Sequence, residues 1–546
     1  MKRDVEQMSK KRYDLIVIGG GITGASVAWD ASLRGLKVAL IEKGDFGSAT
    51  SSATSKLVHG GLRYLKHMEL GLVRESLQER RIMEIIAPHL VYPIPFIFPA
   101  YGWGVRGLPA IVSAMVFYDT LSYDRKWLDD DDKKIPAHEK LSVEKTLELE
   151  PGINPKDLKG AVLYYDCQMY SPERLVLEFV LSACEYGADI ANHTKVEDII
   201  RDGDTVRGVV VRDILTDRVY NIEGDITMNV AGPWADIIMG QLRGRSQHGL
   251  VRSKGIHIIT RPITKSYALA LQTPDGRHFF IAPWRGHSLL GTTDEVFKGM
   301  PDEFRVTEKD IDDFIDEVNE TYPYGNLTRE DVKFFYGGLR PIVEKDTSIE
   351  VEVYDASRKY EIYDHEEEDG IKGFISGIGG KYTTSRNMAR KLVDLVYKKT
   401  GRPARQCLTH TTPLYGGQTG RFRSFVERAL KSKPDGLSEE TVENLCRNYG
   451  SRYREVVDIA FEKKSYRGLI SEGFPDIMAE VIYAVRSEMA LSLSDVVFRR
   501  TGIGTLGNPG DKALEKIANA MAKELGWDNA RKDKEIERVL DTYELG

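Results

Sequence analysis

Cysteine is scarce: four residues in a chain of 546, at Cys167, Cys184, Cys407 and Cys446. None forms a C-x-x-C pair. That argues against a zinc site or a disulfide scaffold and for free thiols in a reducing compartment. Positive charge is not in excess either. The formal net charge is -7, and the chain shows neither a basic stripe nor a nucleic-acid motif, so the usual footprint of a DNA or RNA binder is absent. Long apolar helices are also missing. The opening "MKRDVEQMSKKRYD" lacks the apolar core of a signal peptide. The longest uncharged region, Ile85 to Val105, holds Pro88, Pro93, Pro95 and Pro99, which break any spanning helix. What is present reads as soluble and globular, with 41% hydrophobic and 29% charged residues in a chain long enough for two or three domains.

The clearest signal is at the front. Leu15 to Ile18 is a short apolar run that suits a buried parallel strand. Gly19, Gly21 and Gly24 follow in G-x-G-x-x-G spacing, and Ile22 to Leu33 carries small and apolar residues at helical spacing. Lys37 to Ile41 reads as a second strand, closed by Glu42 about 20 residues beyond the glycines, as a dinucleotide fingerprint requires. Gly19 allows the tight turn, Gly21 lets backbone N–H groups approach a pyrophosphate, and Gly24 lets the helix pack on the strand. The helix N-terminus favours the phosphate charge, and Glu42 is placed to accept hydrogen bonds from ribose hydroxyls.

This fingerprint serves NAD and FAD alike. Downstream, however, the chain runs into "GDFGSATSSATSKLVHGGLRYL" rather than a further strand and helix. Small side chains there let the backbone lie against a flat ring, and Ser and Thr hydroxyls can bond a polyol tail. Together "IGGGITGA", "SSATSKLVHGGLRYL" and the later "GIGGKYTT" closely resemble the FAD-dependent glycerol-3-phosphate dehydrogenases. These are aerobic, quinone-linked flavoproteins of glycerol catabolism within the wider D-amino-acid-oxidase-like group. The likeness runs from about Tyr13 to Lys391 and resumes in "RSEMALSLSDVVFRRTGIG".

The resemblance implies an α/β (α+β) architecture: a Rossmann-like FAD-binding domain interleaved with an antiparallel-sheet substrate domain, plus a C-terminal helical domain. The expected FAD-binding segments are 13–90, 161–250 and 366–405. A substrate or membrane-facing segment is expected at 91–160, the substrate sheet at 251–365 and the helical domain at 406–546. Implied contacts with FAD are Gly19, Gly21, Gly24, Glu42, Lys43, Thr50, Ser51, Ser52 and Ser55, then Val196, Ala231, Gly232 and Trp234, and finally Gly379, Gly380 and Thr383. Implied substrate contacts are Arg63, Tyr64, Thr292, Arg340, Arg358 and Lys381. Arginine suits a phosphate because its planar fork matches two oxygens. His257 and His59 are the candidates for the base near neutral pH, with His257 favoured and His59 shaping the flavin site. Arg340 and Lys381 join them as catalytic candidates.

The implied reaction oxidises sn-glycerol 3-phosphate to dihydroxyacetone phosphate, with electrons passed to a membrane quinone. Alternatives are an oxygen-using glycerol-3-phosphate oxidase, an amine or amino-acid oxidase of the same group, and a flavin-holding protein without catalysis. The segment Pro88 to Pro109, with the apolar "AIVSAMVFYDTL" after it, reads either as an aromatic-rich core edge or as a monotopic membrane surface. Tyr101, Trp103, Arg106, Phe117, Arg125 and Lys126 are residue types that settle at a lipid interface. The resemblance favours the second reading, and with it a cytoplasmic location at the inner face of the cell membrane and a possible homodimer. The "DDDDKK" run reads as a solvated loop.

Overall fold

The computed structural model describes residues 1–546 apart from 67, 105–106, 244–248, 274–275 and 345–358. The apolar run at the front forms the strand Arg12–Ile18, buried over six consecutive residues. It pairs in parallel with Val38–Ile41 on one side and Arg218–Asn229 on the other. An eight-stranded sheet grows from this centre, outward to Phe374–Gly379 and Tyr360–Asp364 at one end and Asp189–Ala191 at the other. The helix Ile22–Leu33 packs on this sheet and against the helices Pro172–Glu185 and Ser385–Thr400. Trp29 meets Phe179 edge-on at 5.3 Å in that core. Ser171 caps the second helix through Arg174 N–H, with Pro172 in its first turn.

A second, ten-stranded sheet is built around the antiparallel pair Gly249–Thr260 and Val332–Glu344. It also takes in Val91–Tyr101 and Leu158–Met169. Two expected boundaries therefore shift. The one at 160/161 falls inside Leu158–Met169, because pairing with Val91–Tyr101 carries the strand through Gly160 to Met169. Tyr360–Asp364, expected in the substrate sheet, pairs instead with Phe374–Gly379. The short helix His365–Asp369 and Gly370, at φ +72°, turn the chain back between these two strands. The proline-rich segment forms a strand of 11 residues, Val91–Tyr101. Pro93, Pro95 and Pro99 alternate, so their missing N–H donors all fall on one side of it.

The region from 422 onward is helical, and apolar residues from Ile470 to Val539 pack on the second sheet at Ile259, Trp284, Leu289 and Phe334, on the same face that carries His257 and Arg340. Among the described residues, no helix is long and apolar enough to cross a membrane. The "DDDDKK" run is only partly a solvated loop. Lys133 is 4% exposed, and its ammonium donates to the carbonyls of Pro88 and Val91.

The helical domain is clamped to the nucleotide-binding half by buried charge. Arg500 Nη1 lies 2.6 Å from Asp45 Oδ2, with both side chains fully buried. Arg499 bridges Asp45 at 2.7 Å and Asp495 at 2.8 Å, and His193 Nε2 lies 3.0 Å from Asp495. Asp45, His193 and Asp495 are close enough together to suggest a cation site, but the two guanidiniums already neutralise the carboxylates. Burial pushes the Asp45 carboxyl up, and the Arg500 and Arg499 charges outweigh that and hold it below its usual range. Its contribution to stability is therefore complete above about pH 4, the unfolded value, and is lost as pH falls through the lower native value. Asp45→Ala leaves Arg500 buried with an inadequate partner, which should cost about 3–5 kcal/mol. Denaturant unfolding followed by circular dichroism checks this, and the loss should be concentrated in the transition of the helical domain.

Candidate active site

A cavity of about 2350 Å³ opens between the two sheets, lined from both. At one end lies the glycine turn. Gly19 has φ +107°, and a Cβ on Gly24 would meet Gly19 O at 1.8 Å, so the helix approaches the strand more closely than any side chain permits. Gly24 acts through this packing and does not itself line the cavity. Gly21 caps the helix Ile22–Leu33 without a side-chain acceptor of its own. Ser51 fills that role, its Oγ accepting from Ile22 N–H at 2.9 Å. Glu42 is held entirely by backbone, accepting from Gly20 N–H at 2.6 Å and Gly44 N–H at 2.7 Å. Burial raises its pKa against those two bonds.

Around this end the expected contacts gather in one wall. Val196 and the turn Ala231, Gly232 and Trp234 line the cavity. Lys43 Nζ sits 3.8 Å over the Trp234 ring and 2.6 Å from Asp302, to which Trp234 Nε1 also donates. Thr50 lines the wall, donating to Leu339 O at 2.7 Å. Ser52 does not line it. Its hydroxyl turns back to Ala49 O at 2.8 Å, a local bond that short hydroxyl side chains commonly make. Gly379 and Gly380, at φ +77° and +88°, bring the chain back to the cavity beside Thr383, which accepts from His59 N–H at 3.3 Å. A helix N-terminus at the cavity edge, a buried carboxylate and hydroxyl-rich walls within one long cavity fit an extended dinucleotide such as FAD.

The other end carries the charge. Arg340 projects from Val332–Glu344, and its Nη2 donates to Thr292 Oγ1 at 2.6 Å. Its Nη1 lies 3.2 Å from Ser253 Oγ and 3.3 Å from Asp294 Oδ1. A Cβ on Gly255 would meet the Arg340 guanidinium at 2.0 Å, so that glycine leaves room for the side chain to lie along the sheet. Lys381 Nζ donates to Ser76 Oγ at 2.9 Å and lies 3.8 Å over the Tyr64 ring. His257, directly across from Gly291 and Tyr336, is 1% exposed and lies in the cavity wall. Its Nε2 is 3.0 Å from Ser55 Oγ. Nδ1 has no hydrogen-bond partner among the described residues. Burial, then the Arg340 and Lys56 charges, hold its pKa well below the usual value, so the imidazole is neutral. His59 is half-buried in the same cavity, edge-on to Phe280.

Of the expected substrate residues, the structure brings Tyr64, Thr292, Arg340 and Lys381 to this cavity. Arg63 opens the helical turn Arg63–Lys66, but its side chain lies outside the described part of the structure, as does the whole of Arg358. Sequence reasoning missed Asp294 and Ser253. Both stand beside motifs it did use, as the acid of "GTTD" and the first residue of "SKGIHII". It also missed Asp166, which lines the cavity, accepts from Gly60 N–H at 3.2 Å and pairs with Arg80 at 2.5 Å. Asp166 thereby fixes the backbone next to His59.

Comparison with known proteins agrees with this geometry. Residues 14–386 match the FAD dependent oxidoreductase family, and residues 407–532 match the C-terminal domain of alpha-glycerophosphate oxidase. A glycerol-3-phosphate dehydrogenase of Synechocystis is 36% identical, over 99% of this chain and 98% of its own length. The aerobic glycerol-3-phosphate dehydrogenase of Bacillus subtilis is 33% identical, over 98% of this chain and 96% of its own. The solved structure of the glycerol-3-phosphate dehydrogenase from Bacillus halodurans, complexed with FAD, superposes with a TM-score of 0.78 at 30% identity, covering 98% of this chain and 95% of that one. The fingerprint, the cavity and these full-length matches converge: the chain belongs to the FAD-dependent glycerol-3-phosphate dehydrogenases.

Proposed function

We propose that this protein oxidises the C2 alcohol of sn-glycerol 3-phosphate to the ketone of dihydroxyacetone phosphate and passes the electrons to a membrane quinone. The observation that carries the reading is the meeting of two cations, Arg340 and Lys381, with a neutral histidine in the cavity that also holds the dinucleotide fingerprint. FAD, held by the glycine turn, Glu42 and the Ser/Thr wall, supplies the hydride acceptor. The chain's own residues do the rest. Arg340 offers a fork already oriented by Thr292 and Asp294, suited to phosphate oxygens. Lys381 adds a point charge from the opposite wall. His257 accepts the hydroxyl proton through Ser55 Oγ, which lines the cavity where the imidazole itself is buried. Holding the alcohol between these groups converts proton and hydride loss into an oriented, water-poor event.

The cavity is well beyond the roughly 300–1,000 Å³ of a single small-ligand site, which leaves room for an acceptor besides cofactor and substrate. One mouth is apolar, lined by Met68, Leu70, Phe98, Ile111 and Phe117. Trp103 beside it is 82% exposed, and Val116, Phe117, Tyr123 and Trp127 are exposed along and just beyond the helix Leu108–Leu121. An apolar patch of this kind marks an interaction surface, and its aromatic content suits a lipid interface. These features support quinone entry from a membrane that the protein touches without spanning. Of the residues expected to contact lipid, Tyr101 is half-buried with its hydroxyl on Asn154 O, and Arg106 lies outside the described residues.

Steady-state assays test the reading. Glycerol 3-phosphate should support turnover with a soluble quinone, without stoichiometric peroxide under air. Glycerol, glycine, sarcosine and D-alanine should not. Turnover on the amines instead would overturn the substrate. Arg340→Lys keeps the charge but loses the fork. It should lower kcat/KM for glycerol 3-phosphate by about 10- to 100-fold, the worth of one charge-assisted hydrogen bond. Trp103→Ala with Val116→Ser should weaken binding to phosphatidylglycerol-rich vesicles by roughly tenfold or more, read by co-sedimentation, and leave turnover with a soluble acceptor unchanged.

A further inference from the structure

Lys56 follows Ser55 directly, yet the two residues face different surroundings. Ser55 lines the cavity, whereas Lys56 does not, and its side chain is fully buried. The backbone reaches this arrangement at φ +53°, a left-handed conformation unusual for lysine. The ammonium lies 3.0 Å from Glu173 Oε1. Glu173 sits in the first turn of the helix Pro172–Glu185, and its other oxygen accepts from Ser171 Oγ at 3.0 Å. Lys56 Nζ also lies 4.6 Å from the centre of the Trp284 ring and 5.0 Å from that of Tyr336. Tyr336 in turn stacks on His257, with centroids 5.0 Å apart and planes within 13°. Its hydroxyl donates to Thr54 O at 2.8 Å, two residues before Lys56. Lys56, Tyr336, His257 and Ser55 thus form a closed ring of contacts. Stability does not call for an ion pair here, because apolar residues of similar volume commonly replace a buried pair without loss.

We propose that the Lys56–Glu173 pair is a positioning device for the reaction: it fixes the Tyr336 ring against His257 and keeps a cation behind the imidazole. This rests on His257 as the proton acceptor. The charged groups facing His257 are Arg340 from the neighbouring strand and Lys56 from the Ser/Thr segment. Asp294 partners the first and Glu173 the second. Arg285, packed on the Trp284 ring, is the next cation out and acts on Lys56. Burial outweighs Glu173 and lowers the Lys56 pKa, while the ion pair keeps the ammonium in place. A cation behind a buried imidazole opposes imidazolium formation, so a proton taken from substrate is not retained and the base is free at neutral pH.

The sign of the test follows. Lys56 lowers the pKa of His257, so removing its charge raises that pKa, and protonation then disables the base at a higher pH. The experiment is anaerobic single-turnover reduction of the flavin-loaded enzyme by glycerol 3-phosphate across pH. It is run on the wild type, on Lys56→Met, and on Lys56→Met with Glu173→Gln, which leaves no unpaired charge and protects the fold. The acid limb of the reduction rate should move up by about one pH unit in the variants, with KM changed less than about threefold. An acid limb at the wild-type pH in the folded, flavin-loaded variants overturns the proposal. His257→Asn in the same assay separates the two claims. If the limb vanishes, His257 is the titrating base and the Lys56 result stands on its own. If the limb persists unchanged, the reading of His257 fails and this proposal fails with it.

Discussion

The close approach of the helix Ile22–Leu33 to the strand Arg12–Ile18 is the constraint on which the site depends. Gly24 has no room for even one carbon, since a Cβ there would lie 1.8 Å from the Gly19 carbonyl oxygen. That contact sets the helix N-terminus at the cavity edge, where Ser51 reaches back to cap it and Glu42 gathers the N–H groups of Gly20 and Gly44. Everything that follows in the chain is arranged around this point. The Ser/Thr segment runs from it to His59, and the strand Phe374–Gly379 returns to it before Lys381. The second sheet covers the same cavity with His257 and Arg340 on adjacent strands.

Charge inside this protein is organised in two distinct ways. At the junction with the helical domain, Asp45, Asp495 and Arg500 are fully buried and, with Arg499, neutralise one another, and the result is attachment. At the cavity, Arg340 keeps about a quarter of its side chain exposed. Its partners, Thr292, Ser253 and Asp294, orient the fork without enclosing it. Lys381 is held in the same manner by a hydroxyl and an aromatic face. Cations at the cavity beside a neutral imidazole suit an anionic alcohol, because the charge that binds the phosphate does not also protonate the base.

Much of this was legible in the sequence because it is local. The glycine spacing, the apolar strands and the acid at position 42 each carry their meaning within a few residues, so the nucleotide half could be read directly. Arg340 and Lys381 look like surface cations when taken alone; they became readable through the motifs around them. Other features needed the third dimension. The proline-rich run at 91–101 is a strand, since alternate prolines lose donors on one side only. Lys133 and Lys56 are buried despite being lysines, because backbone carbonyls in one case and Glu173 in the other complete their coordination. Ser52 does not line the cavity for the opposite reason: its hydroxyl is turned back to a nearby carbonyl.

The central claim is that one cavity holds both the flavin and glycerol 3-phosphate, with hydride leaving C2. It is tested most directly by anaerobic titration of the flavin-loaded protein with sn-glycerol 3-phosphate, following the visible flavin band. The account predicts that the band bleaches in proportion to substrate added, one molecule per flavin, with dihydroxyacetone phosphate as the product. A flavin band that persists in excess glycerol 3-phosphate would contradict it.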